Sequence, residues 1–125
     1  MKLDMVGIIT KDMQRAIGFY ETLGFNKVAG ETLDYVELQH EGVRISLNTA
    51  KMVASIYGYE PKTVGDTVEL AFLCETPEDV DCTYFKMSDA GYESFRKPWD
   101  TFWGQRYAII KDIDGNLLSL FADLN

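Results

Sequence analysis

Histidine is nearly absent from this chain: of 125 residues only His40 is one, and only two are cysteines, Cys74 and Cys82. One histidine cannot furnish a multi-histidine metal site, and no Ser–His or Cys–His pair is available at a sensible spacing. Two cysteines make no disulfide framework, and Cys74, within an apolar run, reads as a small core residue. Proline is scarce, with three residues, so the composition is not that of a disordered segment. Positive charge is short as well: 12 Lys and Arg stand against 20 Asp and Glu, for a net charge of −8. Such a chain is repelled by the phosphates of nucleic acid and by anionic membrane, so neither is an expected partner. No apolar run approaches the roughly 20 residues that cross a bilayer, and the start Met1-Lys2-Leu3-Asp4 is not a signal core. A cytoplasmic location is expected.

What is present is a core-forming composition, 46% apolar with 16 aromatic residues, arranged as a sentence said twice. Leu3–Thr10 has the pattern of a strand. Asp12 is placed to cap a helix whose buried positions are Met13, Ala16, Ile17, Tyr20 and Leu23, and Gly24 stops it. Strand-like pieces follow near Lys27–Gly30, Asp34–Gln39 and Val43–Asn48, the last two separated by the turn His40-Glu41-Gly42. The second pass opens with the strand Val68–Cys74. Thr76, Pro77 and Asp79 start a helix with Pro at its first position. Val80, Tyr84 and Met87 form its buried stripe, and Gly91 ends it. Strand pieces at Glu93–Lys97, Arg106–Lys111 and Leu117–Ala122 complete the copy, with Asp114-Gly115 as the hairpin turn.

The registers agree. Asp12 to Gly24 and Asp79 to Gly91 are both 12 positions apart. From helix-ending Gly to hairpin Gly is 18 positions in the first half and 24 in the second. The six additional residues fall around Pro98–Trp103, which reads as an inserted loop. The expected organisation is therefore an α+β domain of two βαβββ modules, residues 1–49 and 66–125, joined by a linker over 50–65. The modules would form a curved, mostly antiparallel cup of eight strands with helices outside and a concave face for a ligand. A ferredoxin-like fold expects two strand–helix–strand units, whereas here three strands follow each helix.

Several phrases resemble the vicinal oxygen chelate superfamily, which includes glyoxalase I, bleomycin-resistance proteins, fosfomycin-resistance enzymes and extradiol dioxygenases. The first module carries Phe19-Tyr20 and Leu23-Gly24-Phe25. The second carries Trp103-Gly104-Gln105-Arg106-Tyr107 and Asp112-Ile113-Asp114-Gly115-Asn116, similar to the W-G-x-R…D-P-x-G-N stretch of the bleomycin-resistance branch, with Ile113 where Pro is usual. The resemblance implies a divalent metal held by the first and last strands of each module. By register those positions are Met5, Ser46, Glu69 and Ser119. A thioether, two hydroxyls and one carboxylate are a poor donor set, so no metal and no other cofactor is expected. Glu69 is the one candidate base, conditional on its burial.

The resemblance to bleomycin-resistance proteins also nominates Trp103, with Phe102 and Trp99, as ligand-contacting aromatics. Tyr57 and Tyr59 in the linker are weaker candidates, and Glu69, Ser46, Ser119 and Met5 would line the same groove. The expected partner is a polar, cationic or planar small molecule, held without metal as in drug-resistance binding proteins, and the resemblance implies a homodimer. Two other readings stay open: a lyase or isomerase of the glyoxalase I type, and a regulatory module without a small ligand.

Overall fold

The computed structural model describes residues 1–28, 33–62 and 68–125, and the chain divides into two compact units, Met1–Val64 and Gly65–Asn125. The first unit runs β1 (Met5–Thr10), α1 (Met13–Leu23), β2 (Tyr35–Leu38), β3 (Arg44–Thr49) and α2 (Ala50–Tyr57). The second runs β4 (Leu70–Leu73), α3 (Pro77–Asp89), β5 (Ser94–Asp100), β6 (Gln105–Lys111) and β7 (Leu117–Asp123). It is an α+β architecture with two mixed sheets, ordered β1-β3-β2 and β4-β7-β6-β5.

The helix boundaries follow the capping chemistry of the sequence. Asp12 is the N-cap of α1, its carboxylate accepting from the Arg15 amide at 3.1 Å. Gly24, at φ 124°, ends that helix. Thr76 and Asp79 form a reciprocal capping box at the start of α3, with Pro77 in the first turn. Each satisfies backbone N–H groups that the first helical turn leaves without partners.

In the first unit β1 joins β3 in parallel and β2 joins it antiparallel. Residues paired across strands point to the same face. One face therefore carries Ile8, Val36, Leu38, Ile45 and Leu47, all buried, and α1 packs on β3 with Met13, Ala16, Ile17, Phe19, Tyr20 and Leu23 turned inward. In the second unit β4 joins β7 in parallel, and β7, β6 and β5 form an antiparallel meander. Val80, Tyr84 and Met87 of α3 cover Ala108, Ile110, Leu118, Leu120 and Ala122. The Arg106 guanidinium locks the assembly. It forks onto Asp81 of α3 at 2.9 and 3.0 Å and reaches Asp100 of β5 at 3.2 Å. One side chain of β6 thus ties the helix and the edge strand to the centre of the sheet.

Three expectations change. Seven strands, not eight, are present among the described residues. The piece expected at 27–30 is a single antiparallel bridge, Lys27 to Leu38, with positions 29 and 30 outside the described residues. The expected linker carries α2. Thr49 caps it by accepting from the Met52 amide, Ala50, Met52 and Ala54 favour helix, and Gly58 at φ 82° closes it. Only Val53 of that helix is buried, and its eight residues are too few for a periodic stripe to stand out in the sequence. The stretch Pro98–Trp103 is not a loop. Pro98, Trp99 and Asp100 belong to β5, and only Thr101–Gly104 turn before β6.

Leu120, 1% exposed beneath α3, should lower the unfolding free energy by about 2–5 kcal/mol on Leu120→Ala. Loss of the Thr76 cap in Thr76→Ala should remove about 1 kcal/mol. Urea unfolding followed by circular dichroism measures both, and a Leu120 loss no larger than that of Thr76 would contradict the seating of α3 on β7.

Candidate functional site

The face of each sheet opposite its helix is where the candidate side chains lie. In the first unit it carries Met5, Gly7 and Ile9 of β1, Tyr35 and Glu37 of β2, and Arg44, Ser46 and Asn48 of β3. Met5 and Ser46 therefore share a face, as expected, but neither stands free. The Tyr35 hydroxyl donates to the Met5 sulfur at 3.7 Å, and Asn48 Nδ2 donates to Ser46 Oγ at 2.9 Å. Gly7 sits between them: a Cβ there would stand 3.2 Å from Asn48 Nδ2 and 3.6 Å from Ser46 Oγ. Arg44 forks onto Glu37 at 2.6 and 3.2 Å and reaches Asp4 at 3.0 Å. These hydrogen bonds hold the Glu37 carboxyl below its ordinary pKa and raise that of Arg44.

In the second unit, Ser119 Oγ donates to Glu69 Oε2 at 3.3 Å. Glu69 lies just before β4 and is exposed, which removes the burial on which a role as base was conditioned. Ser119 is fully buried. His40 is engaged in its turn, Nδ1 donating to the Val43 carbonyl at 2.9 Å with the ring against Phe25. Among the described residues no group of three or more His, Cys, Asp or Glu side chains comes together that could hold a metal. The four positions where the resemblance implies metal ligands offer a thioether, two hydroxyls and one carboxylate, each already in a hydrogen bond. This donor set does not fit a hard or borderline divalent cation.

The same face of the second sheet holds a larger feature. Reading across the strands by register, one row is Trp99, Tyr107, Phe121 and Leu73. The Trp99 and Tyr107 rings are 5.2 Å apart, and Tyr107 and Phe121 lie stacked at 6.0 Å. Trp103, from the turn, meets Tyr107 edge-on at 5.7 Å. Leu73 is 71% exposed, Trp103 52% and Phe102 98%. Trp99, Tyr107 and Phe121 are half-buried, and with the exposed Leu73, Trp103 and Phe102 they make an apolar surface that is uncommon on a small protein unless something covers it. On the row's far side from Ser119, Trp103 Nε1 donates to Gln105 Oε1 at 2.8 Å, and Gln105 Nε2 donates to Asp123 Oδ1 at 3.0 Å. Both ends of the Gln105 amide are thus committed, and the indole is fixed in orientation.

A backbone irregularity builds one end of the row. Between Arg96 and Trp99, β5 spends three steps where β6 spends two, Ile109 to Tyr107, and a further shift lies between Ser94 and Arg96. The additional residue breaks the alternation, so Arg96 and Trp99 fall on one face, with Arg96 Cζ 3.6 Å from the Trp99 ring centroid. Pro98, which cannot donate to a ladder, occupies the irregular stretch of this edge strand.

Of the residues expected at the site, Trp99, Trp103 and Phe102 are adjacent, and Glu69 and Ser119 share their sheet. Tyr57 ends α2 of the first unit, its ring 5.6 Å from Tyr59. Tyr107, Phe121, Leu73 and Arg96 were missed. Phe121 and Tyr107 were within reach, because Phe121 stands two residues from Ser119 and so faces the same way. Arg96 depends on the bulge, which no residue pattern announces.

The family model of the Glyoxalase/Bleomycin resistance protein/Dioxygenase superfamily matches residues 2–120. A family enzyme from Burkholderia phytofirmans PsJN is 22% identical, with a TM-score of 0.89 over 99% of this chain and 100% of that one. A glyoxalase-related enzyme from Fulvimarina pelagi is 15% identical, with a TM-score of 0.87 over 98% of this chain and 88% of its own. A superfamily member from Sphaerobacter thermophilus DSM 20745 is 27% identical, with a TM-score of 0.75 over 98% of both chains. At the first two identities the likeness shows a shared fold alone. No curated protein matches the chain. No helix among the described residues is long and apolar enough to cross a membrane.

The Arg44–Glu37 pair gives a pH test. A carboxyl whose folded pKa is lowered contributes stability above its unfolded pKa and loses it as pH falls through the folded value. The stability gap between the parent and Arg44→Met should therefore be full at neutral pH and narrow from about pH 5 toward about pH 3. Urea midpoints across that range read it; a gap independent of pH would mean that Arg44 acts by packing alone.

Proposed function

The chain belongs to the Glyoxalase/Bleomycin resistance protein/Dioxygenase superfamily, and on that premise we propose that it binds a planar, polar small molecule on the aromatic row of its second sheet, without a metal and without making or breaking a bond. The row Trp99–Tyr107–Phe121–Leu73, flanked by Trp103, carries the proposal. It presents aromatic and apolar surface held by a cross-strand register and by the Gln105 amide. Such a surface suits a flat ligand better than a flexible one.

Magnitudes set the size of the ligand. A ring stacked on an aromatic side chain is worth about 1–3 kcal/mol, while micromolar affinity requires about 8 kcal/mol. Useful binding therefore needs several of these side chains at once. Neighbouring strands are about 4.8 Å apart, so a ligand of two or three fused rings is the right length to lie across β5, β6 and β7. The poor donor set at Met5, Ser46, Glu69 and Ser119 supports a role in binding over the metal-assisted lyase chemistry found elsewhere in the superfamily.

Both tryptophans of the chain, Trp99 and Trp103, belong to this surface, so intrinsic emission reports on it alone. Titration with a library of fused bicyclic and tricyclic aromatics should give saturable quenching for at least one member. Trp103→Ala and Tyr107→Leu should each weaken that binding about tenfold, the worth of one lost stacking contact. Phe85→Ala, on α3, should leave it unchanged. No saturable response in the library, or equal affinity in the row variants, sinks the proposal.

A further inference from the structure

The row is built beside a positive charge in an otherwise acidic protein. Acidic residues outnumber basic ones 20 to 12, so an arginine has carboxylates to spare, yet among the described residues Arg96 makes no ion pair. The acids that flank it along its own strand are engaged elsewhere: Glu93 with Lys111 at 3.4 Å and Asp100 with Arg106 at 3.2 Å. Arg96 instead lies over Trp99 at 3.6 Å, the separation of two stacked planes.

Stacking uses the flat face of a guanidinium and leaves its N–H donors, which lie in the plane, pointing outward at its rim. Those donors match the two oxygens of a carboxylate. We infer that Arg96 is the charge-selecting residue of this surface, and that the ligand is a planar aromatic carboxylate whose ring lies on the row while its carboxylate meets the Arg96 rim. This inference rests on the proposed ligand-binding role of the row and adds the ligand's charge. It reverses the preference that the net charge suggests. Arg96 already occupies the Trp99 face that a cationic ligand would seek, and a second cation there meets like charge. The β5 bulge is what makes the selection possible, since regular alternation would not place residues 96 and 99 on one face.

Three probes sharing one ring system separate ring from charge: 2-naphthoate, 2-naphthamide and 2-naphthylmethylammonium, each titrated by tryptophan emission and by calorimetry. Naphthoate should bind about tenfold more tightly than the amide, the scale of a charge-assisted hydrogen bond at a partly solvated site. The ammonium should bind most weakly, and the naphthoate advantage should shrink with added salt. Arg96→Gln should reduce naphthoate to the level of the amide and leave the amide unchanged; Arg96→Lys, which keeps the charge without the fork, should retain part of the advantage. If the amide binds with no naphthoate advantage, or if Arg96→Gln preserves that advantage, the inference fails while the row stands as a binding surface. If none of the three binds, the inference fails, and the row stands or falls by the aromatic library alone.

Discussion

The alternation of side chains along β7 is the constraint from which the rest of the second unit follows. This strand is hydrogen-bonded on both sides, to β4 in parallel and to β6 antiparallel. Leu118, Leu120 and Ala122 turn toward α3, which commits Ser119, Phe121 and Asp123 to the opposite face. A slip of one residue would exchange the two sets and set Phe121 against the helix. The buried side thus dictates the exposed one: the hydrophobic core under α3 determines that an aromatic row exists and where its rings stand. The Tyr107 ring then follows through cross-strand pairing, and the Trp99 ring through that pairing together with the β5 bulge.

Electrostatics divides the two free faces. On the first sheet Arg44 is consumed by Glu37 and Asp4, and the remaining polar groups close on one another as Tyr35 with Met5 and Asn48 with Ser46. On the second sheet Arg106 is consumed by Asp81 and Asp100 in holding the helix and the edge strand together. Arg96 makes no ion pair among the described residues and is stacked on Trp99 instead. Net charge governs long-range encounter with phosphates and membranes, while local arrangement governs what a bound molecule touches, and here the two have opposite signs.

Much of this was legible in the sequence, where short-range chemistry fixes structure. The caps at Asp12 and Thr76, the stop at Gly24 and the buried stripes of α1 and α3 all stand where side-chain type and spacing placed them. Each unit opens with a strand, a helix and then antiparallel strands, though two described strands follow α1 and three follow α3. Illegible were features that local pattern does not encode. Helix α2 buries one residue and spans only eight, too short a run for periodicity to mark it. The strand character of Pro98–Asp100 was hidden because Pro and adjacent large aromatics read as a loop, whereas an edge strand with a bulge admits both. Met5 and Ser46 share a face of the first sheet, and their hydrogen-bond partners Tyr35 and Asn48 arrive from other registers along it.

The Arg106 fork has a consequence for kinetics. Edge strands are the parts of a sheet most free to peel away, and β5 is such an edge, carrying Arg96 and Trp99 at its bulge. Because Arg106 fastens β5 through Asp100 and anchors itself on α3 through Asp81, the entropy of ordering that edge is spent when the protein folds. A molecule arriving at the surface meets side chains already in place. Discrimination among arrivals of like charge then rests on residence time.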